Sequence, residues 1–146
     1  MLSCQILRPR ASEPESAGLF KAAAVMTGAA AESVIVELRD TTAAKLGALS
    51  KPAPKPMQDW RIKTVTDALR DFFEQRKGQL APELKEPFEA YWHAFTLQIR
   101  AVRNDAGHPA SIDPVTADTV QAALLIFPEL ARIAERLTRW VGHNLT

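Results

Sequence analysis

From residue 16 onward the apolar positions recur at helical spacing. Phe20, Ala24, Thr27, Ala31, Val34 and Leu38 follow at intervals of four, three, four, three and four, the repeat of one face of a 3.6-residue helix. The alanines at 22–24 and 29–31 favour helix, while Gly28 costs it about 1 kcal/mol against alanine and permits a close neighbour. Arg39 to Thr42 is a weaker stretch, where a bend or break is expected before Ala43 to Leu49. Lys51 to Pro56 then places three prolines in five residues. That excludes a helix interior and favours extended polyproline geometry. The run reads as an interhelical loop; a docking segment for a proline-recognising module is the functional alternative.

The second helical pattern is Ile62, Val65, Leu69, Phe72 and Arg76. Asp59 is its expected N-cap, Trp60 stands at its entrance, and Gly78 is expected to stop it. The third is aromatic-rich. Leu84, Phe88, Tyr91, Phe95, Val102 and Ala106 keep to one stripe, with Ile99 filling the gap. Tyr91 and Trp92 are expected in the core, in preference to a base-stacking platform. Asp113-Pro114 is a helix start, an N-cap followed by proline at the first helical position. The last helix carries two apolar faces: Val120, Leu124, Phe127, Ala131, Ala134 and Leu137, and Ile126, Leu130, Ile133, Leu137 and Trp140. A helix apolar on two sides is central or shared with a partner. Pro128 is expected to kink or split it near Phe127. The pattern predicts an all-α chain, an antiparallel four- to five-helix bundle over residues 16–146 behind an irregular N-terminal arm, residues 1–15.

Composition adds bounds. At 146 residues, 47% hydrophobic and 24% charged, the chain is of single-domain size with the make-up of a globular protein. A net charge of +1 supplies no global basic field, so any RNA contact must come from a local patch or from two subunits combined. One cysteine, Cys4, excludes an internal disulfide and a multi-cysteine metal site. No uninterrupted apolar run approaches the ~20 residues that span a bilayer, and the N-terminus lacks the pattern of a signal peptide. A cytoplasmic protein without a membrane partner is the expectation. No constellation of metal ligands is visible and no cofactor is implied. His143, in the tail, receives no role.

The chemistry concentrates at Arg103-Asn104-Asp105-Ala106-Gly107-His108-Pro109. Five steps along a continuous helix turn roughly 500°, so Arg103 and His108 do not share a helical face. Gly107 suits a left-handed C′ residue, and Pro109 pushes His108 towards extended dihedrals. The helix should therefore end near Asp105 or Ala106, with His108 in the turn beyond. Arg100 lies one turn before Arg103 on nearly the same side, so two guanidinium groups stand near the helix end as a phosphate site. Glu32 shares a stripe with Val25, Ala29 and Val36. A buried carboxylate there needs a basic partner, Arg103 being the first choice.

The Arg-to-His run resembles the R-x4-6-H motif of HEPN domains. These are small helical-bundle proteins, many of them metal-independent ribonucleases. The motif stands where that family has it, at the end of a long helix ahead of the loop into the last. The likeness covers residues 16–142 in helix order, and several HEPN families carry a Glu on an early helix in a small-residue context like that of Glu32. It implies a homodimer whose two motifs meet in a composite site, acting on RNA as a toxin or phage-defence component beside an antitoxin or defence partner. The chemistry is compatible. Attack of the RNA 2′-hydroxyl on the adjacent phosphate needs a base of near-neutral pKa and a fixed cation. His108 suits the first role and Arg103 the second. Asn104 would orient the histidine or a phosphate oxygen, and Asp105 would pair with Arg103 or a partner residue. One departure is Ala110, where HEPN proteins paired with minimal nucleotidyltransferases often carry Tyr. The alternative is a non-catalytic helical module for nucleic-acid binding or dimerisation in such a system. A third reading makes the run an ordinary helix C-cap.

Overall fold

The longest element of the computed structural model is a 36-residue helix, α1 (Glu13–Ala48). After it come a 3-10 turn (Lys55–Gln58), α2 (Ile62–Glu74), a second 3-10 turn (Lys77–Gln79), α3 (Pro82–Gly107) and α4 (Ala117–Asn144). The structure describes residues 13–107 and 117–146, with side chains described for 18–94, 96, 97, 99 and 117–146. The all-α class holds, with no strand among the described residues. Helix α1 begins three residues earlier than the pattern suggested, taking in Glu13 to Glu15. Most of the N-terminal arm, with Cys4, and the Asp113-Pro114 helix start lie outside the described residues.

No break occurs at Arg39–Thr42. Helix α1 runs through it, and three of its four polar side chains find partners that leave the ladder intact. Arg39 pairs with Asp40 at 2.7 Å. Thr42, fully buried, donates its hydroxyl to the Leu38 carbonyl at 2.8 Å, and Thr27 does the same to Ala23 at 2.8 Å. Such back-bonding lets a hydroxyl sit inside an apolar face. The helix ends in a Schellman turn: Lys51 N donates to Leu46 O at 2.9 Å and Ser50 N to Gly47 O at 3.0 Å. Ser50 takes the left-handed conformation with φ 56°, and Pro52 follows, where helix cannot continue.

The relative directions of the long helices follow from contacts at their ends. Lys45 Nζ reaches the Gly142 carbonyl at 3.0 Å and Lys51 Nζ that of Thr146 at 2.5 Å. The C-terminal ends of α1 and α4 therefore lie together, and the two helices run parallel. Arg136 of α4 donates to the Glu83 carbonyl, in the first turn of α3, at 3.4 Å, so α3 opposes both. Strict up-and-down alternation of four helices would set α1 against α4. The short α2 breaks that alternation by packing over one end of the three long helices.

At that end the core is aromatic. The Phe73 ring stands edge-on to Phe72, Phe88 and Trp140, with centroids at 5.2, 6.0 and 6.3 Å, and Phe88 packs on Trp92 at 5.3 Å. Edge-to-face pairs at these separations are favourable beyond the area they bury. Ile35, Leu38 and Leu46 of α1 and Leu130, Leu137 and Val141 of α4 close the core around them. The third stripe passes through Trp92, 2% exposed, and not through Tyr91, 45% exposed. Leu124 also leaves the core: the buried face of α4 is Val120, Ala123, Leu130, Ile133, Ala134, Leu137, Trp140 and Val141.

Both internal prolines are absorbed. Helix α4 is continuous through Pro128 and does not split. Pro87 of α3 has no N–H for the Glu83 carbonyl four residues back, and that carbonyl accepts from Arg136 instead. Asp59 does not cap α2. It forms a local clamp, accepting from Arg61 N at 2.8 Å and from Arg61 Nε and Nη2 at 3.0 and 2.8 Å. The Arg61 side-chain and backbone hydrogen bonds hold the Asp59 carboxyl down at a pKa of about 2.

By length and composition, one helix, within Gly18–Ala48, is long and apolar enough to cross a membrane. That window carries charges widely enough spaced to escape a search for uninterrupted runs. Its second half, from Ala31 to Leu46, lines the bundle core.

Candidate functional site

Helix α3, Pro82–Gly107, runs through Arg103, Asn104 and Asp105. Arg103 therefore stands on helical backbone, one turn before Gly107. Helical geometry puts Gly107 ~37 Å along α3 from Pro82, at 1.5 Å per residue. This is the end of the bundle away from α2. The side chains of Arg100, Arg103, Asn104 and Asp105 lie outside the described residues, as does His108 altogether.

Glu32 is the one expected site residue whose side chain is described. It is partly buried. Its flank of α1 also carries Val25 and Ala29, both exposed, and Val36, partly buried. The fully buried face one step round is Ala31, Ile35 and Leu38. The carboxylate therefore borders the core and does not enter it. That follows from the 3.6-residue period, since the stripes of Glu32 and Ala31 differ by ~100°.

Apolar side chains are exposed on the same half of the bundle. Leu19 and Met26 of α1 are 71% and 72% exposed, and Leu124 and Leu125 of α4 are 53% and 70%. Leu97 of α3 is half exposed. Among the described residues no group of three or more His, Cys, Asp or Glu side chains is placed to hold a metal ion. His93 and His143 are both exposed.

The far end of the molecule carries a concavity that the sequence pattern passed over. The proline run folds across α2 and encloses a cleft of ≈ 350 Å³. The one signal for it was Arg76, a cation at a position the α2 stripe reserves for an apolar residue. Trp60, beyond the proline run in sequence, is 85% exposed.

Comparison with models of known protein families, with curated proteins and with solved structures finds no match to this chain.

Proposed function

We propose that the chain is a HEPN-like, metal-independent endoribonuclease, working as a homodimer in which two Arg103-to-His108 motifs form one composite site. The observation that supports this most is placement: Arg103 stands on the long helix α3, far along it from Pro82 and ahead of the final helix in chain order. In this reading His108 takes the proton of the RNA 2′-hydroxyl, and Arg103 with Arg100 holds the phosphate as charge builds on it. A single imidazole serves poorly as base and acid together, which is the chemical reason for a composite site. Toxin or phage defence, with an antitoxin or defence partner, is the setting the motif implies.

The test is incubation of RNA with the wild type beside His108→Ala, scored for 2′,3′-cyclic phosphate ends. Cleavage that survives in clean His108→Ala protein removes the histidine from the mechanism. The exposed Leu124 and Leu125 on α4 favour a second reading, a non-catalytic dimerisation or nucleic-acid-binding module. That reading predicts a dimer by sedimentation, broken by Leu125→Asp, together with no RNA product from any variant.

A further inference from the structure

Arg76 is an unusual residue for a surface helix. Its guanidinium lies over the Phe72 ring, 3.8 Å from the centroid, and donates Nη1 to the Phe72 carbonyl at 3.1 Å. Stacking and that hydrogen bond fix the planar group in one orientation and use one of its five donors. Burial pushes the group down from the ordinary arginine pKa, yet among the described residues no carboxylate lies within ion-pair distance of it. The cation is held, partly desolvated and uncompensated.

It lines the ≈ 350 Å³ cleft between α2 and the proline run, a size within the range of small-molecule sites. Pro52, Pro54 and Pro56 form one wall, Leu46, Ala68 and Phe72 the other. Proline walls are rigid, so the cleft is formed before anything enters it, and little ordering remains to be done on binding. Lys51 stands at the rim, with Nζ donating to the Thr146 carbonyl and two donors left over. Asp71 is the acidic lining residue, and Arg70 engages its carboxylate at 3.2 and 3.3 Å. The lining thus sets two cations, Arg76 and Lys51, against one carboxylate, and Arg76 has no ion-pair partner among the described residues.

We infer that this cleft binds a small organic anion with an apolar body, its acidic group on Arg76 and Lys51 and its body against the proline wall and Phe72. A polyproline loop, otherwise only a spacer, becomes the shaping element of a binding site. The site is independent of the Arg103 motif, which lies at the opposite end of α3.

The probe is anilinonaphthalene sulfonate, which joins an apolar aromatic body to one fixed negative charge; phenylnaphthylamine supplies the same body without the charge. Fluorescence titration of the full chain should give one saturable sulfonate site. Arg76→Gln should weaken it about tenfold, equivalent to ~1.4 kcal/mol, and Lys51→Gln, at the exposed rim, by a smaller factor. Neither substitution should alter the response to phenylnaphthylamine. Equal sulfonate affinity in the wild type and both variants overturns the proposal. So does a matched loss of both probes in Arg76→Gln with Lys51→Gln unaffected, since that pattern marks damage to the cleft and no role for charge.

Discussion

Ser50 is the position at which a single atom group should change stability in a direction opposite to habit. Serine to glycine normally loosens a chain. Here Ser50 closes the C-terminal turn of α1 with φ 56°, and the two hydrogen bonds of that turn depend on this conformation. An L-residue in the left-handed region is disfavoured by ~1–2 kcal/mol through the clash of its Cβ with the following carbonyl. Glycine removes the clash and costs ~0.5–1 kcal/mol in extra backbone entropy. The balance is a stabilisation of roughly 0–1.5 kcal/mol for Ser50→Gly. Ser50→Ala keeps the Cβ and should be near neutral or slightly destabilising. Ser50→Val, β-branched, should lose stability outright. Urea unfolding followed by far-ultraviolet circular dichroism measures all three, with the slope m unchanged if only stability has moved. For a chain of this size a gain of ~1 kcal/mol also raises Tm by roughly 2–4 °C. A Ser50→Gly protein no more stable than Ser50→Ala would refute the strained cap.

Phe73→Ala should cost about 3–5 kcal/mol, the usual scale for emptying a buried aromatic site, because its ring contacts Phe72, Phe88 and Trp140 together; a loss under ~1 kcal/mol in the same urea assay would remove it from the centre of the core. Asp59 should contribute to stability at neutral pH and lose that contribution in acid. Its folded pKa of about 2 lies below the unfolded value of ~3.9, so the contribution is present above ~pH 4 and fades as pH falls towards 2, with Asp59→Asn abolishing that part of the acid dependence. If the ribonuclease proposal is right, Arg103→Lys should fail in the RNA assay almost as completely as Arg103→Ala, because an ammonium lacks the planar fork that holds two phosphate oxygens; cleavage at wild-type rate by Arg103→Lys would exclude that role.

Much of the helical architecture was legible in the spacing of apolar residues, and its errors share a cause. A period of 3.6 lets either i+3 or i+4 continue a stripe, so from Phe88 the pattern cannot choose between Tyr91 and Trp92; packing against the other helices chose Trp92. The same ambiguity placed Leu124 on a core face that passes through Ala123. Cap chemistry was legible in type and not in position. Glycine is the usual C′ residue, yet Gly47 lies inside α1 and Ser50 takes the left-handed place, while Asp59 spends its carboxylate on Arg61. Proline effects depended on tertiary partners that no local rule contains, as at Glu83 and Arg136. Of the Arg103 motif, the sequence showed the residue types and their place on the third long helical pattern, which α3 carries through Arg103. The cleft at Arg76 was hidden because its walls come from segments separated by the turn into α2.

The covering of three long helices by a short fourth at one end has a kinetic meaning. Around Phe73 a backbone amide is shielded by four packed helices, and its hydrogen should exchange only through near-global opening. Towards the other end the buried residues described on α1 and α4 are smaller: Ala24 and Thr27, and Val120 and Ala123. Amides there should exchange through smaller, local openings. Openings of that kind in α1 and α4 would leave the α2 end closed, so the two ends of the bundle should separate into two classes of exchange rate.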